Sequence, residues 1–99
     1  MQAVLDGTVL ADASDTEVLT IEGNWYFPPD AVTAQALSRS ETPYTCPWKG
    51  VAQYYTVQTA EGSYPDAAWA YPDPPASAVG RVGRDFSGYV AFDRKVTVG

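Results

Sequence analysis

The sequence has no histidine and only one cysteine, Cys46. A single cysteine cannot form an intramolecular disulfide, and a cysteine-based structural zinc site needs four Cys or His ligands. Without histidine, the Ser-His-Asp and Cys-His arrangements of nucleophilic enzymes are excluded as well. We therefore expect neither a bound metal nor a cofactor, and any acid or base chemistry would fall to Asp, Glu, Lys or Tyr.

Long apolar runs are also missing. No stretch approaches the roughly 20 consecutive apolar residues that a membrane-spanning helix needs. The first ten residues, MQAVLDGTVL, lack the basic segment and apolar run of a secretory signal peptide. The expected compartment is the cytoplasm, with no membrane partner.

Basic residues are few, and the protein is acidic. Six Lys and Arg against twelve Asp and Glu give a formal net charge of -6, and every basic residue lies at or after Arg39. Binding to a phosphate backbone requires a clustered basic surface, so we expect no nucleic-acid partner. A local pocket that uses Arg39, Lys49, Arg81 or Arg84 remains compatible with one small anion, because a local field can differ from the net charge.

The chain has the size and composition of one folded domain. Its 99 residues are 45% hydrophobic and 13% aromatic, which is enough apolar surface for a single core. We expect one domain over residues 1–99.

The apolar pattern predicts a mainly β fold. Asp6 and Gly7 separate two apolar runs, as in a two-residue hairpin, and alternating patterns at 17–23, 51–57 and 67–71 are typical of strands. Asp30 and the alanines that follow it predict one short helix near 30–38, and 72–88 reads as a long loop. These patterns predict a small antiparallel fold with six to eight short strands and one short helix.

The segment TPYTCPWKGVAQYY, residues 42–55, concentrates the residues with chemical potential. Cys46 is interpreted either as a small core residue or as a nucleophile activated by nearby Lys49, and the absence of a partner base favours the core. Tyr and Trp carry a polar atom and often lie at a pocket or interface. The candidate ligand-binding residues are Trp48, Lys49, Tyr55, Trp69, Tyr71 and Arg39, and no catalytic residue is assigned beyond the possible nucleophile Cys46.

Five segments together resemble the DUF427 family over almost the full chain. They are GNWYFP (23–28), LSRSETPYTCPWKG (37–50), AQYYTV (52–57), AAWAYPDP (67–74) and GYVAFD (88–93). The family is of unknown function and has also been labelled nucleotidyltransferase-like, although no triphosphate-binding motif is present here. The resemblance implies a small β fold similar to the Mss4-like, or β-tent, architecture, without the paired CxxC zinc motifs of some relatives.

Three functional hypotheses follow, and the residues favour the first. The first is a non-catalytic binding module that holds a small anionic or planar ligand in an aromatic-floored pocket. The second is a homodimerising interaction domain without a ligand. The third is an enzyme that depends on Cys46 or acts as a nucleotidyltransferase.

Overall fold

A computed structural model describes all 99 residues as a mainly β protein with eleven strands and one α-helix. The strands are β1 (Gln2–Leu5), β2 (Thr8–Asp12), β3 (Leu19–Ile21), β4 (Asn24–Tyr26), β5 (Leu37–Arg39), β6 (Thr45–Cys46), β7 (Gly50–Val51), β8 (Gln53–Thr59), β9 (Gly62–Ala70), β10 (Val90–Phe92) and β11 (Thr97–Val98). The helix α1 spans Ala76–Val82, and two 3-10 turns lie at Pro29–Ala31 and Ala34–Ala36. No helix is both long and apolar enough to cross a membrane.

All strand pairs are antiparallel, as the alternating sequence pattern predicts. A four-stranded sheet has the order β10-β9-β8-β5, and a three-stranded sheet has the order β11-β1-β2. The hairpins β3-β4 and β6-β7 form separate two-stranded units. The predicted turn at Asp6 and Gly7 is confirmed, since both residues have the positive φ angles of a type I′ hairpin.

The four-stranded sheet separates two cores, because neighbouring residues of a strand point to opposite faces. On β10, Val90 and Phe92 pack into the larger core, together with residues of the three-stranded sheet. Ala91 between them packs into a smaller core on the other face. The two hairpins and α1 close that second core through Ile21, Tyr26, Cys46 and Ala78. Tyr71, just after β9, and Phe86, after α1, pack into it as well.

The prediction of a helix near 30–38 is wrong. Asp30 makes no capping hydrogen bond, and the chain forms only the two 3-10 turns before it enters β5. Extended pairing replaces the helix: Val32 bridges Ala11, and the amide of Thr33 donates to the carbonyl oxygen of Leu10 at 2.8 Å. The β-branched Val32 and Thr33 fit this pairing better than a helix.

The segment predicted as a long loop contains the α-helix instead. Pro75 precedes its first residue, a position where the missing amide hydrogen and fixed φ of proline are tolerated. Gly83 ends the helix with a left-handed φ of 86°, and its amide donates to the carbonyl oxygen of Val79. Eleven strands also exceed the predicted six to eight, because the additional ones are pieces of only two or three residues.

Candidate functional site

The loop of the β6-β7 hairpin buries a lysine. Pro47, Trp48 and Lys49 connect the two strands, and Gly50 closes the loop with a φ of 94°. A Cβ at Gly50 would lie 3.4 Å from Cδ of Pro75, so the hairpin packs closely on the segment before α1. This packing leaves Lys49 only 5% exposed, and its ammonium ion-pairs with the Glu22 carboxylate.

The partner carboxylate comes from the turn of the other hairpin. Glu22 and Gly23 connect β3 to β4 with φ angles of 53° and 82°. A glutamate is unusual at a left-handed position, where the backbone conformation costs a non-glycine residue about 1 kcal/mol. Its Oε1 accepts from Lys49 while 53% of the side chain stays exposed. The turn therefore places one carboxylate between a buried ammonium and solvent.

Aromatic rings surround the same ammonium. Nζ of Lys49 lies 4.9 Å from the ring centroid of Tyr71 and 5.3 Å from that of Trp48. Cations at such distances are attracted to the negative face of a ring. Lys49 is thus held by one carboxylate and two aromatic side chains.

The electrostatic environment keeps these groups in their ordinary charge states at neutral pH. Burial alone would lower the pKa of Lys49, but the hydrogen bond to Glu22 and the neighbouring Tyr26 and Tyr71 together raise it. The same hydrogen bond lowers the pKa of Glu22. Burial raises the pKa of Tyr71 to about 12, against the opposing effect of Lys49. The raised pKa of Lys49 favours its protonated ammonium over the free amine that a nucleophile or a base requires.

A surface cleft of about 300 Å³ opens beside this cluster. Its lining comes from the β3-β4 hairpin, the β6-β7 loop and the end of α1, and comprises Thr20, Ile21, Glu22, Trp48, Arg81 and Val82. The guanidinium carbon of Arg81 lies 4.3 Å from the Trp48 ring centroid. Arg81 is exposed and forms no ion pair, although Glu22 lies in the same cleft. With Lys49 counted beside Glu22 and Arg81, the charges at the cleft sum to one positive charge, in a protein of net charge -6.

The six candidate ligand-binding residues do not form one pocket. Trp48, Lys49 and Tyr71 come together as described, and Trp69 lies nearby in the second core, where its indole N–H donates to the Tyr26 hydroxyl at 3.2 Å. Tyr55 packs against the larger core and lines a different groove. Arg39 lies opposite Tyr55 on the neighbouring strand and donates to Gln53 at 3.0 Å.

Cys46 lies in the second core and lines none of the four surface clefts. It is 6% exposed and is surrounded by apolar and aromatic residues of that core, including Ile21 and Tyr71. No histidine exists to act on it. In the structure Cys46 is a buried, small core residue.

Sequence reasoning missed Glu22 and gave Arg81 only as one of four possible anion partners. The dipeptide Glu22-Gly23 between two apolar runs was a signal for a hairpin tip, and a side chain at such a tip is free to reach a neighbouring loop. No group of three or more His, Cys, Asp or Glu side chains is placed to hold a metal ion.

The fold is a small, mainly β structure in which the buried Lys49 lies beside a surface cleft lined by Glu22, Trp48 and Arg81. The chain belongs to a family described as a domain of unknown function, DUF427, whose model matches residues 1–98. No match to the chain was found among curated proteins.

Proposed function

We propose that the protein is a non-catalytic binding module, and that its ligand is a small anion held at the cleft formed by Glu22, Trp48 and Arg81. The main support for this proposal is the position of Arg81. Its guanidinium lies on the Trp48 ring at the edge of the cleft and forms no ion pair with a carboxylate. Guanidinium groups bind carboxylate and phosphate through parallel N–H donors. An aromatic surface behind the guanidinium restricts its motion, which reduces the entropy lost on binding.

In this proposal the individual residues have roles other than those that the sequence suggested. Lys49 is committed to Glu22 and is almost fully buried, so we assign it to positioning rather than to ligand contact. Trp48 and Arg81 become the contact residues, with Val82 as an apolar neighbour. Tyr55 and Arg39 line other clefts and are not assigned to this site.

A titration followed by NMR tests the proposal. The chain has three tryptophans, so three indole N–H signals are expected, and Trp25 and Trp69 serve as internal controls. With adenosine monophosphate, glucose 6-phosphate and 3-phenylpropanoate as probes, we expect at least one to shift the Trp48 signal selectively. Arg81→Gln should weaken that binding at least tenfold, the loss typical of one charge-assisted hydrogen-bonded contact.

The matched control is Arg94→Gln, which removes the same charge from an exposed residue that lines no cleft. It should leave the titration unchanged apart from a small effect of net charge. If both variants lose the same affinity, the anion is attracted non-specifically by net charge. If no probe shifts the Trp48 signal selectively, the site is refuted.

A homodimer without a ligand is the second candidate, and the exposure of two large side chains favours it. On the segment that forms the β6-β7 hairpin, Tyr44 is 46% exposed and Val51 is 66% exposed. Interfaces between copies of one chain are rich in such apolar and aromatic contacts. We expect light scattering at high micromolar concentration to give the mass of two chains and Val51→Ser to return it toward one, whereas a monomer in the wild type would remove this candidate.

For the architecture, we infer that the stacked antiparallel sheets correspond to the Mss4-like, or β-tent, arrangement that the family resemblance implies. The support is the antiparallel pairing and the two small hairpins on one face of the four-stranded sheet. This inference transfers no activity, because unrelated functions share folds.

A further inference from the structure

The cleft presents two opposite charges that do not neutralise each other. Glu22 and Arg81 both line it, but no Arg81 nitrogen lies within ion-pair distance of the carboxylate. Two exposed groups of opposite sign in one small cleft gain energy by pairing, directly or through a ligand that carries both complementary charges. Glu22 already pairs with Lys49, whereas Arg81 has no ion-pair partner.

The Glu22 carboxylate has capacity for a second partner. Its Oε1 accepts from Lys49, and the nearby Trp48 side chain and the Arg81 charge also lower the pKa of Glu22. An ionised carboxylate accepts up to about four hydrogen bonds, so one ammonium does not saturate it. Because 53% of the side chain is exposed and the residue lines the cleft, a second donor has access from solvent.

The remaining lining is mostly apolar or aromatic. Val82 and the half-buried Trp48 complete the cleft, together with the polar Thr20 and with Ile21, which is almost fully buried. Its volume of about 300 Å³ suits a ligand of amino-acid size and is at the lower limit of ordinary ligand pockets. A ligand that complements this lining has a carboxylate to contact Arg81, an amine to contact Glu22 and an apolar group to contact Trp48 and Val82.

We propose that the ligand is a zwitterion of the α-amino acid class with an apolar or aromatic side chain, its carboxylate at Arg81 and its ammonium at Glu22. This inference rests on the proposed anion-binding function of the same cleft and adds the second charge. It also assigns a use to the unusual left-handed conformation of Glu22, because the hairpin tip holds the carboxylate where both Lys49 and a ligand reach it.

Ligands that differ by one group test the inference without altering the protein. Phenylalanine carries both charges, 3-phenylpropanoate lacks the ammonium, and phenethylamine lacks the carboxylate. In the NMR titration of the Trp48 indole signal, we expect phenylalanine to bind at least tenfold more tightly than either of the others. Arg81→Gln should weaken the binding of both phenylalanine and 3-phenylpropanoate. Glu22→Gln should weaken the binding of phenylalanine but not that of 3-phenylpropanoate, because it removes a negative charge from the cleft.

The outcomes separate this inference from the proposed function. Equal affinity for phenylalanine and 3-phenylpropanoate would overturn the amine contact and leave anion binding intact. If adenosine monophosphate or glucose 6-phosphate binds and phenylalanine does not, the amino-acid assignment is overturned and anion binding stands. If no probe shifts the Trp48 signal, both proposals fail. The ligand comparison in the wild-type protein remains decisive even if Glu22→Gln proves too unstable for titration.

Discussion

Phe86→Ala is expected to remove about 3–5 kcal/mol from the free energy of unfolding, the usual range for truncation of a fully buried phenylalanine. Phe86 has no exposed surface and lies just after α1, in the core that also contains Ala78 of the helix and Ala91 of β10. Its loss leaves a cavity between the helix and the four-stranded sheet. Because domains of this size have about 5–15 kcal/mol of stability, the variant loses a large share of the total.

Urea denaturation followed by tryptophan fluorescence measures this effect. Arg94→Ala is the control, since Arg94 is exposed and its truncation should change the free energy of unfolding by less than about 0.5 kcal/mol. The prediction bears on function as well, because Phe86 supports the helix that carries Arg81 to the cleft. A loss below about 1.5 kcal/mol for Phe86→Ala would show that the second core collapses around the cavity and contributes less than its burial indicates.

The sequence predicted the class of fold because strand alternation and turn residues are local signals. The hairpin at Asp6 and Gly7 is readable from two residues, and it forms as expected. The helix assignment failed for a non-local reason: Val32 and Leu37 find strand partners on β2 and β8, and no local pattern reports that pairing. The true helix was hidden by Gly80 and by the prolines before it, which indicate a loop when taken alone.

The candidate site was predictable in part for the same reason. Trp48 and Lys49 are consecutive in the chain, so their closeness needed no knowledge of the fold. Glu22 and Arg81 come from distant elements, and only the packing of two hairpins against α1 brings them beside Trp48. The burial of Lys49 ran against expectation, because lysine is almost never fully buried unless it is paired.

Removing the charge of Glu22 is expected to be more damaging than removing the charge of Lys49. In Glu22→Gln the ammonium of Lys49 stays buried with only a neutral amide as partner, whereas Lys49→Met removes the buried charge and fills similar space. Breaking a fully buried pair costs about 3–5 kcal/mol, but solvent screens the exposed half of the Glu22 carboxylate. We therefore expect a loss of about 1–3 kcal/mol for Glu22→Gln and less than about 1 kcal/mol for Lys49→Met at pH 7.

The double variant tests whether the two effects are coupled. When Lys49→Met is already present, Glu22→Gln should reduce the free energy of unfolding only slightly, since no buried ammonium remains to be left unpaired. The hydrogen bond from Lys49 lowers the pKa of Glu22 in the folded protein, so the stabilisation is present above the unfolded glutamate pKa of about 4.3 and is lost as the pH falls through the lower folded value. The difference in unfolding free energy between wild type and Glu22→Gln should accordingly shrink between pH 5 and pH 2, while the other carboxylates affect both proteins alike. Equal destabilisation by the two single variants, or a difference that does not depend on pH, would mean that Lys49 is stabilised mainly by the rings of Trp48 and Tyr71 rather than by Glu22.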